Sequence, residues 1–219
     1  MNDAKIWPVV LDSIKKDVPN FEVSAKEDSM LFKVITPPLS LLNPNFKNFS
    51  TTIGFHTYMP AAKLGKAWGN LGHEGIHGRQ YKKWGLLYNL SYWPEFLGPL
   101  ALFALLAPFS HWFLLALVFV LAFVPWPNPF RVHWERMAFL MTACADACSG
   151  TNILADDYVT WMTNHYTTGQ YYWMSWGKAK MRAQVIADMM LAQRIVAGTE
   201  TLEPYSSTIA LARAEDKAA

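Results

Sequence analysis

Ala62-Lys63-Leu64-Gly65-Lys66-Ala67-Trp68-Gly69-Asn70-Leu71-Gly72-His73-Glu74-Gly75-Ile76-His77-Gly78-Arg79-Gln80-Tyr81-Lys82-Lys83-Trp84-Gly85 is the stretch on which the fold turns. Leu64, Trp68, Leu71, Tyr81 and Trp84 recur at helical spacings, and Pro60 just before them suits a helix start. Residues four apart on a helix share a face, so His73 and His77 can both aim an imidazole nitrogen at one metal ion. Glu74 stands beside the first histidine. A carboxylate there that does not itself bind the metal can take a proton from a metal-activated water and hand it to a leaving amine. The plainer reading of the same residues is a solvated face beside Arg79, or polar groups satisfied in a core.

Two ligands are too few, because catalytic zinc usually takes three from the protein and keeps a fourth position for water. Glu135 is the candidate third ligand, in Phe130-Arg131-Val132-His133-Trp134-Glu135-Arg136-Met137-Ala138-Phe139-Leu140-Met141-Thr142, an amphipathic helix opened by Pro127-Asn128-Pro129. His133 is the alternative. Glu135, Thr142 and Asp146 recur at seven and eleven residues and so share one helical face, which favours Glu135. From that face Asp146 can hydrogen-bond a ligand histidine, as metal-bound imidazoles generally require, or be an ordinary helix-end carboxylate. Peptide hydrolysis also needs a donor for the developing oxyanion, and His165, Tyr171 and Tyr172 are candidates. With aromatic residues at 15 per cent of the chain, packing competes for each of these rings.

His73, Glu74, His77 and Glu135, within about residues 50 to 146, resemble the glutamate-zincin metallopeptidases, thermolysin-like in the broad sense. The resemblance implies an α+β, mainly helical, zincin-like domain. It implies Zn2+ held by His73, His77 and Glu135, Glu74 as general base, and hydrolysis of a peptide or protein substrate. Such families often place a small or acidic residue four after the third ligand, where this chain has Phe139. The family also implies a strand edge before the metal helix, which holds an extended substrate by backbone pairing. Ser50 to Met59 fits, alternating Ile53, Phe55, Thr57 and Met59 with Thr52, Gly54, His56 and Tyr58 at the period of a half-buried strand. A narrower likeness, over Thr51 to Pro60 and His73 to Trp84, is to small phage-encoded H-E-x-x-H proteins of unknown role.

Between the proposed ligands, Phe96 to Phe130 carries no formal charge. Pro99, Pro108 and Pro125 divide it into apolar arms at about 97–107 and 112–124, joined by Pro108-Phe109-Ser110-His111. Each arm is about a dozen residues, roughly 18 Å of helix, short of the roughly 20 residues a bilayer crossing needs. If residues 77 and 135 share a metal they lie on one side of any membrane, so a single crossing is excluded. A hairpin in one leaflet, two tilted crossings, or a hairpin buried in protein remain. Arg79, Lys82, Lys83, Arg131 and Arg136 flank the segment, and Trp93, Trp112, Trp126 and Trp134 mark interfaces, favouring membrane contact with the basic side cytoplasmic.

A chain of 219 residues buries one sizeable core, so we expect a single domain over 1–198, with a hydrophobic hairpin inserted at 93–130 and a tail at 199–219 that is extended or disordered. Hydrophobic residues at 52 per cent against 16 per cent charged suit a membrane or assembly contact through 96–130. A net charge of +2 gives no reason to expect a nucleic-acid partner. The first residues lack a secretory signal, so synthesis in the cytoplasm is expected, followed by membrane association or entry into a virion or other assembly. Cys144 and Cys148, on successive turns, read as reduced core residues. Residues 1–18 read as an amphipathic helix, 21–35 as two strands turning at Lys26-Glu27-Asp28-Ser29 and closed by Thr36-Pro37-Pro38, and 39–48 as a loop. Ala155 to His165 and Tyr171 to Val196 read as helices, the second closed by Gly198. The rival to a hydrolase is a non-catalytic component of an assembly such as a phage particle, with zinc as a structural staple or with the hairpin penetrating a membrane.

Overall fold

The computed structural model describes residues 1–42, 44–91, 103–115, 128–168, 174–175 and 177–218. Eight helices run through them: α1 Asp3–Asp17, α2 Met30–Leu42, α3 Trp68–Trp84, α4 Leu86–Ser91, α5 Pro129–Cys148, α6 Asp156–Thr167, α7 Lys178–Ala197 and α8 Tyr205–Lys217. Strands β1 Glu22–Ala25, β2 Thr51–Ile53 and β3 His56–Met59 form one small sheet in the order β1-β3-β2. Strand β1 lies parallel to β3 and β2 antiparallel to it, with Thr52 opposite Thr57. The class is therefore α+β and mainly helical, as expected.

Helix α3 is the structural centre. Leu71 to Gly78 are all buried, so this helix has no solvent face over the turns that carry the motif. It lies between α1, whose Ile6, Val10 and Ile14 are buried one turn apart, and α5. Glycines permit the approach: a Cβ on Gly72 would stand 2.8 Å from Met141 Cγ, and one on Gly75 would stand 2.5 Å from Ile14 Cδ1. Helix α5 starts where the sequence predicts, because Asn128 Oδ1 accepts from Arg131 N at 3.0 Å and Pro129 has no N–H to leave unsatisfied. Arg136 donates to both carboxylate oxygens of Asp188, at 2.8 and 2.7 Å, and ties α5 to α7.

Several local expectations are corrected. The second strand before Ile35 is α2 instead, and that helix runs on through Pro37 and Pro38. Its short apolar run, Met30 to Ile35, suits either period, and packing decides: Phe32 is buried under the Lys26 ammonium, 4.6 Å from the ring centroid, and 4.8 Å from the Tyr58 ring. The single strand expected over 50–59 folds back as two, β2 and β3, because Gly54 turns at φ +65°. Residues 61–66 are turns, and α3 begins only at Trp68. The tail is not an arm: α8 packs on α1 and buries Tyr205, Thr208, Ile209 and Ala212, which recur at helical spacing.

Residues 92–102 and 116–127 lie outside the described residues, and with them most of the expected hairpin. Residues 103–106 and 111–115 are short 3-10 turns around a bend at 107–109, with Phe109 and Trp112 84 and 69 per cent exposed. Among the described residues no helix is long and apolar enough to cross a membrane. Cys144 is buried, which pushes its thiol up to about 12, and both cysteines are free.

Candidate metal centre

The turns of α3 that lie against α5 bring His73 and His77 to Glu135, and all three side chains are buried. His73 Nε2 is 3.8 Å and His77 Nε2 is 3.7 Å from Glu135 Oε2. Those gaps exceed hydrogen bonds. Donors around a tetrahedral ion with bonds of about 2.0–2.1 Å stand roughly 3.4 Å apart, so the three atoms are spaced to share one ion after small adjustments. His133, the alternative ligand, is exposed on the other side of α5.

The remote nitrogens are held. Gln80 Nε2 donates to Trp134 O at 3.0 Å, which turns its Oε1 toward His77 Nδ1 at 2.9 Å. An amide oxygen only accepts, so His77 donates a proton from Nδ1, and Nε2 is the nitrogen left to face Glu135 and, once its proton is displaced, a metal. The Tyr88 hydroxyl lies 3.0 Å from the same Nδ1. For His73 the partner is Thr142 Oγ1, 3.1 Å from Nδ1. Asp146, the expected partner, sits a turn further along and accepts from the Tyr158 hydroxyl at 2.6 Å instead. Phe139 sets its ring edge-on to His73 with centroids 4.8 Å apart.

Electrostatics follow burial and the shared carboxylate. Burial drops His73 to about 3, with the neighbouring His77 adding to the effect, so this imidazole is neutral. Burial opposes ionisation of Glu135 too, yet His77 and His73 hold its carboxyl below the usual range. Glu135 in turn keeps His77 above the ordinary histidine value against its own burial.

Glu74 is buried beside this group, and burial raises its pKa while His77 and Thr52 pull it down. Thr52 Oγ1 donates to Glu74 Oε2 at 2.6 Å and is itself 2.7 Å from Thr57 Oγ1. Strand β2 thus fixes the carboxylate that α3 supplies. A cleft of about 310 Å³ opens onto His73 and Glu74 and is lined besides by Asn45, Asn48, Phe49, Ser50, Lys63, Asn70, Phe139, Thr142, Trp161 and His165.

His165 therefore reaches the cleft. Its Nδ1 faces Trp161 O at 2.9 Å and burial lowers its pKa, so the neutral ring donates there and presents Nε2 as an acceptor rather than as an oxyanion donor. Tyr171 and Tyr172 lie outside the described residues. Thr52, Gln80, Tyr88 and Lys63 went unread in the sequence. Gln80 had a signal, three residues after His77 on the same helix face; the others come from separate elements. No protein-family model, curated protein or solved structure matches the chain.

Proposed function

We propose that the protein is a zinc-dependent peptide hydrolase. The observation that carries the reading is the placement of Glu74: a buried carboxylate fixed by Thr52, beside a three-donor group, on the floor of a cleft that reaches both His73 and Glu74. Two imidazoles and one carboxylate suit zinc and leave a position open, whereas a structural staple is closed by four protein ligands. His73, His77 and Glu135 would hold the ion, and a divalent ion there would supply polarisation of a carbonyl and acidification of water. Glu74 then takes the proton of the attacking water and returns it to the leaving nitrogen. Gln80 fixes the tautomer of His77 through Nδ1, and Thr142 holds the His73 ring in place through its own Nδ1. The edge of β2, next to Glu74, is where an extended peptide pairs.

Association with a membrane or a larger assembly, such as a phage particle, belongs to the same proposal, and the exposed Phe109 and Trp112 support it. The test of the hydrolase is Glu74→Gln, whose amide cannot accept a proton. Zinc content should be unchanged, and cleavage of a mixed peptide pool should fall by about 10²-fold or more. Equal cleavage by the variant would remove Glu74 as base, and zinc-loaded parent protein that cleaves nothing would favour the non-catalytic rival.

A further inference from the structure

We infer that Lys63 makes the end of the cleft beside Glu74 a carboxylate-binding subsite, so that the peptides taken are those carrying a carboxylate. This deepens the hydrolase reading and rests on it. Lys63 belongs to the turns between β3 and α3, is half-buried, and lines the cleft together with His73 and Glu74. The neighbouring cation, Lys26, is committed to the fold: it donates to Phe46 O and Phe49 O, both at 3.0 Å, and sits over the Phe46 ring. The Lys63 ammonium makes no hydrogen bond or ion pair among the described residues.

A half-buried ammonium is held at a loss of solvation unless an anion faces it. Glu74 supplies part of that charge and is itself engaged by Thr52. An incoming carboxylate supplies the rest. Asn45, Asn48, Ser50 and Asn70 line the same cleft, and their amide and hydroxyl hydrogens suit the remaining lone pairs of such a group. Lys63 also offsets the repulsion that Glu74 would exert on an anionic ligand. Phe139 and Trp161 also line the cleft and offer apolar surface to the rest of such a ligand.

Two sources share this chemistry, a chain-terminal carboxylate and an Asp or Glu side chain. Calorimetric titration of zinc-loaded full-length Glu74→Gln protein separates them, with Ac-Ala-Ala-Ala-Ala as acid or amide, and Ac-Ala-Glu-Ala-Ala-amide against its Gln counterpart. In one arm the charged peptide should bind about tenfold or more tighter than its neutral partner. Adding Lys63→Gln should erase that preference at unchanged zinc content, and Lys63→Arg should restore it. A preference in the first arm marks an exopeptidase site, and in the second an acidic side-chain pocket. No preference in either arm overturns the proposal, as does one that survives Lys63→Gln, which would place the carboxylate on the metal. Binding needs no turnover, so a preference found in a protein that cleaves nothing would retain the subsite and refute the hydrolase.

Discussion

At the scale of single residues, the proposed chemistry depends on which nitrogen of His77 is turned toward the metal. That is set from a distance: the carbonyl of Trp134 orients the Gln80 amide, and the amide oxygen claims the proton on Nδ1. Gln80→Ala should therefore weaken zinc binding by about 10- to 100-fold in a chelator competition while leaving the fold intact, and Gln80→Glu should retain affinity. An alanine variant that binds as tightly as the parent would show that packing alone orients the ring. His73, Glu74 and His77 were legible because the helical period that joins them is written in adjacent residues. Glu135 was legible through its phase with Thr142, and Thr142 rather than Asp146 proved to be the partner of His73. Periodicity places residues on a face, but only the height of α5 against α3 decides which of them meets the ring. Thr52 and Lys63 lie on strands and turns whose approach to the site is tertiary, and nothing local announces it.

At the scale of elements, His73, His77 and Glu135 meet because α3 can be squeezed between α1 and α5. Gly75→Ala gains up to about 1 kcal/mol of helix propensity, while forcing a methyl into Ile14 costs roughly 1–3 kcal/mol, so the net change should be destabilising. Ile14→Val removes the Cδ1 that the new Cβ would meet at 2.5 Å. In urea unfolding, the double variant should be more stable than additivity of the two singles predicts. Strict additivity would mean that the helices yield without strain. The long helices α1 and α5 could be read from their periods, and α7 from its period and the closing Gly198, although it begins at Lys178 rather than at Tyr171. Helix α2 could not, because a six-residue apolar run has no period of its own and its state is decided by Phe32 docking beside Lys26 and Tyr58. The β2–β3 turn was hidden by an alternation that continues unbroken across Gly54.

At the scale of the whole molecule, α8 closes over α1, with Asn2 N donating to Asp216 Oδ1 at 3.0 Å, so the two ends of the chain buttress the helix that supports α3. A metal bound by α3 and α5 joins the two halves of this body, and its binding energy is then folding energy. Chelation should lower the thermal midpoint by several degrees in the parent and leave Glu135→Gln, already short of a ligand, unmoved. Identical shifts in both would place the metal elsewhere. The central claim is that His73, His77 and Glu135 hold one zinc, and elemental analysis of the purified full chain tests it most directly. The parent should carry about one zinc per chain, and His73→Ala and His77→Ala should carry almost none. Zinc retained at the parental level in both variants, or a parent that takes up none when zinc is supplied in excess, would contradict it.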